Sequence, residues 1–287
     1  MTIKYAPSPR PTFDRPTQIR YDGVTRHLWG DEAAGQVDDW IYVSSQQIHQ
    51  LVFGLGPGQA FRHSEEFRTI FGADEVLYVL EGRFGCANPE TGEVHVVREG
   101  EAVFFRRDNW HHGFNLGTGP VRVLEFYAPP PAKGTSGAYA RSKPYLTDSR
   151  YTQDEYLGRL PMDAAEAKAK HRMRVLREQD VIWRLEGKTQ SALIGLYAAT
   201  DQLTVGKMTL LPGQKSDIET HGGDEGLYLL KGTLNILTPD SEGQRWFELH
   251  PKDGFFVPQG AKHQYHNVSG EPVEFLFGIA PAYRPVG

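Results

Sequence analysis

Glu219, His221 and Glu225 stand in the stretch ETHGGDEGLYLLKG, which runs from Glu219 to Gly232. A Glu-x-His-x3-Glu cluster ahead of a short apolar run carries the donors of a metal site. Imidazole nitrogen with carboxylate oxygen suits Mn, Fe(II), Ni or Zn, and hard oxygen donors tilt the choice towards Mn or Fe(II). On a strand, residues i and i+2 point to one side, so Glu219 and His221 can face a common interior. Glu225 joins them if the strand continues or turns tightly. His263, 38 residues beyond Glu225, supplies a second imidazole from a later strand. Burying two carboxylates is costly unless a cation neutralises them. The expected ligands are therefore Glu219, His221, Glu225 and His263. Glu219, if not bound to metal, or Glu225 is the group expected to move a proton.

The elements that must position these residues repeat within the chain. DEVLYVLEG (Asp74 to Gly82) returns as DEGLYLLKG (Asp224 to Gly232) at an offset of 150 residues, and HHGFN from His111 returns as HQYHN from His263 at 152. PVRVLEFYAPP from Pro120 is echoed by PVEFLFGIAP from Pro272, again at 152. Echoes in one order at a nearly constant offset mean a duplicated domain, because solenoid periods are shorter. Short runs rich in Val, Phe, Tyr and Leu, punctuated by Gly, Pro, Asn and Asp, read as strands of a sandwich or barrel. Between the halves lies a loop-like linker. It leads into MDAAEAKAKHRMRVLREQD, where Asp163 and Glu166 form a capping-box-like pair for a helix. The basic residues Lys168, Lys170, Arg172, Arg174 and Arg177 on it read as a solvated face.

The bulk numbers narrow the classes of function. The chain has 287 residues, 39% hydrophobic and 23% charged, with a formal net charge of −5. The mild negative charge argues against nucleic acid or an anionic membrane as a partner. A lone cysteine, Cys86, allows no internal disulfide and fits a reducing, cytoplasmic setting; it reads as a buried small hydrophobe. The first twenty residues have no apolar core of a secretory signal, and no apolar stretch approaches the roughly 20 residues of a bilayer span.

On these residues the chain resembles the cupin superfamily. The second half matches its first motif at Gly213, His221, Glu225 and Gly232, with Glu219 where the opening histidine normally stands. It matches the second motif at Pro258, Gly260, His263 and Asn267. The first half keeps Pro57, Gly58, Glu75, Gly82, His111 and Asn115, but Thr69 and Phe71 occupy the His-x-His positions. The resemblance implies an all-β bicupin of two tandem jelly-roll (double-stranded β-helix) barrels with a linker containing a short helix. Its parts are residues 1–44 as an N-terminal arm and first strands, 45–130 as a degenerate N-terminal cupin, 131–180 as the linker, and 181–287 as the metal-binding cupin. Glu75 and His111 hold ligand positions in the first half, and His63 and His112 are nearby substitutes for the missing partners. Arg106, Arg107, Trp110 and His112 could line a substrate or subunit surface there, with Trp110 more often packing. His27, His49, His95, His171 and His250 are isolated, and His266 points away from His263.

The resemblance implies one divalent transition metal per chain in the second cupin. It also implies an enzyme of Lewis-acid isomerase, hydrolase or lyase type acting on a sugar acid, an oxo acid or a ureido compound. The Glu-x-His opening is similar to that of ureidoglycine aminohydrolases, manganese bicupins whose metal lies in the C-terminal half; the Glu225 and His263 portion departs from them. A non-haem Fe(II) dioxygenase and a non-catalytic small-molecule-binding cupin are the alternatives, a storage protein a remote one. A homodimer is expected, since cupins pair through sheet edges and swapped N-terminal segments.

Overall fold

The computed structural model describes residues 8–130, 137–154 and 171–285, together with Gly158 and Ala169. The first half supplies β1 (Thr17–Ile19), β2 (Thr25–Trp29), β3 (Val37–Ser44), β4 (His49–Leu55), β5 (Ala60–Phe61) and β6 (Asp74–Glu81). It continues with β7 (Arg83–Asn88), β8 (Glu93–Arg98), β9 (Ala102–Phe105), β10 (His112–Asn115) and β11 (Val121–Ala128). A short helix, α1 (Ala138–Arg141), and β12 (Arg174–Leu176) follow. The second half contains β13 (Ile182–Glu186), β14 (Ala192–Ala199), β15 (Thr204–Leu210), β16 (Asp224–Lys231) and β17 (Leu234–Leu237). It ends with β18 (Trp246–Leu249), β19 (Gly254–Val257), β20 (Gln264–His266) and β21 (Val273–Ala280).

Each half packs a seven-stranded sheet against a smaller one, the jelly-roll arrangement of two tandem cupin barrels. The large sheets run β12-β9-β6-β11-β4-β3-β2 and β1-β19-β16-β21-β15-β14-β13. The small sheets run β5-β10-β7-β8 and β18-β17-β20. Equivalent registers recur: Glu75 faces Tyr127 across β6 and β11, as Glu225 faces Ile279 across β16 and β21. Gly82 and Gly232 close the echoed strands with φ of +86° and +81°. A Cβ there would stand 2.5 Å from the Pro120 carbonyl or 2.7 Å from that of Pro272, so only glycine fits.

The two barrels exchange strands. β1, from the arm, pairs with β19 of the second barrel, Thr17 opposite Phe256. β12, from the end of the linker, pairs with β9 of the first, Arg174 opposite Phe104. The arm thus docks on the second barrel over Thr17–Ile19. The helix expected from Asp163 begins outside the described residues, and Arg174, expected on it, lies instead in β12.

Between the barrels a shared core contains Trp40, Tyr42, Val52, Phe126, Tyr197, Tyr228 and Phe256. Knobs of the first barrel sit over glycines of the second: Tyr42 over Gly254, Gln50 over Gly226 and Phe126 over Gly278. The Gln50 amide donates to the Leu227 carbonyl at 3.0 Å. Arg106, expected to line a substrate or subunit surface, instead bridges Asp74 at 2.8 Å and Asp201 at 2.7 Å across the two halves. Trp110 is buried with Ile70 and Ala140 as packing. Cys86 is fully buried against Met173.

Candidate metal centre

The segment carrying Glu219 and His221 is not a regular strand. Glu219 forms an isolated bridge with His263, each amide donating to the other's carbonyl at 2.8 and 3.1 Å. The chain then bends at Gly222 and Gly223 before entering β16. A Cβ on Gly223 would collide with the Ala280 carbonyl, and one on Gly222 with that of Arg284. This tight bend returns Glu225 to the face that Glu219 and His221 share, the tight-turn alternative of the sequence reading. His263 immediately precedes β20.

Glu219, His221 and His263 each place one ligand atom within 4.8 Å of the others. Glu225 Oε2 lies 3.2 Å from His263 Nε2 and 3.6 Å from His221 Nε2. All four residues expected as ligands therefore converge. His221, Glu225 and His263 are buried, while Glu219 is half-buried.

The surrounding hydrogen bonds fix which atoms are free. His221 Nδ1 lies 2.8 Å from the Tyr283 carbonyl and His263 Nδ1 lies 3.1 Å from that of Ala261. A carbonyl only accepts, so each Nδ1 carries the proton and each Nε2 presents a lone pair. The Tyr265 hydroxyl donates to Glu225 Oε1 at 2.6 Å, leaving Oε2 free. Glu225 Oε2 and His263 Nε2 are buried without a hydrogen-bond partner among the described residues. Lone pairs thus face one another in a desolvated space, an arrangement that a cation or a proton must stabilise. The donor set fits a divalent metal.

Electrostatics agree. Burial pushes the Glu225 carboxyl up to about 7, with the Tyr265 hydrogen bond pulling the other way. Burial foremost, offset in part by His221, brings Glu219 to about 7. Burial and the neighbouring His221 hold His263 down at about 3, so it is a neutral ligand at physiological pH. Burial likewise lowers His221.

Sequence reasoning missed the groups around this centre. Tyr265 is two residues beyond His263 and shares its inward face, so strand alternation could have found it. Tyr283 and Arg284 come from the tail after β21. The Tyr283 ring packs 4.9 Å from that of His221, and Arg284 lies over Tyr283. Arg284 and Arg184 both pair with the buried carboxylate of Glu186. No motif announces this pairing. His266 contacts Gln264 and Trp246, away from the cluster.

Two expectations for the first half are corrected. His63 and His112 do not replace the missing ligands. His63 Nδ1 meets His112 Nε2 at 2.7 Å, and the pair contacts the Leu146 carbonyl and Tyr151 rather than Glu75. His95 and His171 are not isolated, since their rings lie 5.1 Å apart beside Glu93, whereas His49 is packed, 4.6 Å from Tyr127, ring to ring, inside the first barrel.

A second cluster was also missed. Glu93, His95 and His171 form a group that could hold a metal. Glu93 and His95 repeat the Glu-x-His spacing on β8, a signal present in the sequence. Glu93 already accepts from His95 at 2.6 Å and from the amides of Arg172 and Met173 at 3.1 and 3.0 Å. Burial alone would raise its pKa, yet these bonds bring it below the ordinary value. With both oxygens satisfied, the cluster works as a staple that holds the end of the linker to β8.

The fold and the converging His and Glu side chains define a bicupin with a candidate metal centre. The family described as "Cupin domain" matches residues 55–127 and 206–279, and the chain belongs to it. No curated protein sequence matches the chain significantly. Among solved structures, protein Ylba from E. coli has a TM-score of 0.62 at 12% identity, over 93% of this chain and 90% of that one. A putative glyoxylate-induced protein from Pseudomonas aeruginosa has a TM-score of 0.64 at 16% identity, over 96% and 93%. Oxalate decarboxylase from Lactobacillus farciminis, in a formate complex, has 0.59 at 13%, over 96% and 88%. At these identities the likeness is one of fold. No helix among the described residues is long and apolar enough to cross a membrane.

Proposed function

We propose that the chain is a metal-dependent enzyme whose second barrel binds one divalent ion, Mn or Fe(II), through Glu219, His221, Glu225 and His263. The substrate is a small oxygen-rich organic molecule: a sugar acid, an oxo acid or a ureido compound. The reaction is an isomerisation, hydrolysis or lyase step. The carrying observation is the meeting of unpartnered, buried Glu225 Oε2 and His263 Nε2 at 3.2 Å. A bound divalent ion would polarise a carbonyl or hydroxy-carbonyl chelate of the substrate. Glu219, where it does not bind the metal, is the acid/base, and Glu225 is the alternative. The Glu219 carboxylate accepts no hydrogen bond among the described residues, and its pKa of about 7 suits proton transfer near neutrality. Arg284, which acts on both Glu219 and His221, places positive charge beside the centre, which favours an anionic substrate. Oxalate, the acid in the name of one structural relative, is a small oxygen-rich compound of this class.

A dioxygenase with Fe(II) is the second reading, favoured by the apolar interior of Leu227, Phe255, Phe277 and Ile279 around two imidazoles and a carboxylate. The chain is further proposed to act as a cytoplasmic homodimer. Ile182 and Leu185 are 68% and 70% exposed on β13, an edge strand with no outer neighbour among the described residues. Cys86 as a buried free thiol suits a reducing compartment.

Elemental analysis of protein purified without chelators tests the reading. About one Mn or Fe per chain, lost in His221→Ala, is the expected result. Iron directs the next assay to oxygen uptake, and manganese to isomerase and hydrolase screens. A wild-type protein that takes up no metal even on reconstitution overturns the enzyme reading in favour of a binding or structural cupin.

A further inference from the structure

The first barrel encloses a cavity of about 240 Å³ lined by Asp39, His49, Thr69, His111, Glu125 and Tyr127 on its polar side. Trp29, Phe53, Phe61 and Phe71 form its apolar wall. Glu75 adjoins this floor: it stands directly across from Tyr127, and, after burial, the negative charge of Glu125 helps to raise its carboxyl. Asp39, Glu75 and Glu125 are 6%, 1% and 7% exposed. No lysine or arginine is among the described residues that line the cavity, and the nearest cation, Arg10, acts on His49 and Tyr127 from behind Ser44. Arg10 is held at Ser44 and the Ser45 carbonyl.

The second barrel shows that the fold does not require these groups. At the equivalent ladder positions it carries Ile194 for Asp39, Thr204 for His49, Phe277 for Glu125 and Ile279 for Tyr127. Buried carboxyls are costly where apolar residues would serve, so their retention in one twin points to a ligand. A second observation is independent of the acids. Thr69 Oγ1, on a side chain 2% exposed, lines the cavity with no hydrogen-bond partner among the described residues.

The chemistry of the cavity selects what it can hold. Three carboxyl groups outnumber the single guanidinium of Arg10 that acts on the cavity wall, so an anion meets net negative charge once they ionise. A transition metal would need the imidazoles of the His-x-His positions. Thr69 and Phe71 stand there, and the Phe71 ring packs 5.2 Å from that of His111. Aromatic faces and carboxylates both attract an organic cation. An N–H donor would also satisfy Thr69 and the carboxyl pair.

We propose that the first barrel is a second binding site, which takes a small primary amine as its ammonium ion. The ammonium lies against Asp39, Glu125 and Thr69, and an apolar body lies against Phe53, Phe61 and Phe71. Pockets for drug-sized molecules begin near 300 Å³, so the ligand is smaller than these. Burial keeps His49 at about 3 and His111 at about 4, so neither imidazole opposes the cation with its own charge at neutral pH. Burial raises Glu125 to about 7 and Glu75 upward with it, so binding near neutrality releases a proton from the pair.

Calorimetry on the full-length protein tests this with benzylamine, benzyl alcohol and benzoate as probes, in two buffers of different ionisation enthalpy. Benzylamine is expected to saturate one site per chain at least tenfold more tightly than benzyl alcohol, with proton release and no binding of benzoate. Glu125→Gln and Thr69→Val should each weaken it several-fold or more, whereas His221→Ala, which strips the other centre, should leave it unchanged. Thr69→Val preserves shape and charge, so it remains decisive if Glu125→Gln folds poorly. Equal binding of benzyl alcohol, tighter binding of benzoate, no saturable site, or full binding by Thr69→Val overturns the proposal. So does a metal ion found bound in the first barrel.

Discussion

The Tyr265 hydroxyl donates to Glu225 Oε1 at 2.6 Å, and this bond determines which carboxylate oxygen faces His221 and His263. Both residues are buried, so neither turns towards solvent. Tyr265→Phe removes the hydroxyl but keeps the ring that packs 4.8 Å from Phe275. We expect this variant to fold and to lose roughly 10–100-fold in metal affinity, the range for groups that orient a ligand from behind. Chelator competition measures it; an unchanged affinity would mean that Glu225 does not need to be held.

Glu219 separates ligation from proton transfer. If it moves the proton, Glu219→Gln and Glu219→His retain metal but lose activity, by about 10²–10⁴-fold. If it is only a fourth ligand, Glu219→His keeps the metal and retains activity. Metal content and turnover measured on the same preparations distinguish the two.

Metal uptake should depend on pH in a defined direction. Burial lifts Glu225 to about 7, so below that pH the carboxyl holds a proton that the metal must displace. Apparent affinity is expected to rise up to neutrality by at most about tenfold per pH unit for each carboxyl that binds the metal, Glu225 and, as a fourth ligand, Glu219, and then level. Titration at pH 5.5, 6.5 and 7.5 checks it, with proton release on loading as the companion signal.

The buried acids of the first barrel give the metal-free protein its own pH dependence. A carboxyl whose folded pKa is raised is protonated more readily in the folded state. Stability is therefore greatest below the unfolded value and falls as pH rises through the folded one. For Glu125 the loss runs from the ordinary carboxylate range up to about 7. Glu125→Gln should flatten that slope in denaturant melts at pH 5 to 8; an unaltered slope would show that the proton is not shared there.

The contact of Phe126 with Gly278 holds one barrel on the other. Phe126→Ala is expected to cost about 3–5 kcal/mol. Gly278→Val should cost at least the 1–3 kcal/mol typical of overpacking. Chemical denaturation measures both, and a loss below 1 kcal/mol in each would mean that the interface contributes little.

Much of this was legible in the sequence because the repeat fixed the frame. Once Asp74–Gly82 and Asp224–Gly232 align, Glu75 and Glu225, then His111 and His263, fall into register, and the jelly-roll halves follow. The four residues that converge in the second barrel were all named from spacing and type. Tyr283, Arg284 and Glu186 were not, because they reach the centre from a tail and a distant strand, and no local period relates them to His221. The Glu93–His95–His171 staple was missed because His171 comes from the linker, 76 residues beyond His95. His49 and Glu125 were not singled out as site residues, since each stands in a mostly apolar strand and belongs to no motif. The interior that they line depends on four strands meeting.

The exchange of β1 and β12 has a consequence for synthesis on the ribosome. The first barrel lacks its edge strand until Arg174–Leu176 has emerged. The strand that the arm lends is held in reserve until Gly254–Val257 is made. The first half is finished only after the linker has been made, and the second is closed by a strand made at the very start of synthesis. Division of the chain at the linker should therefore yield two fragments, each missing an edge that the other carries, and they should recover structure only when produced together.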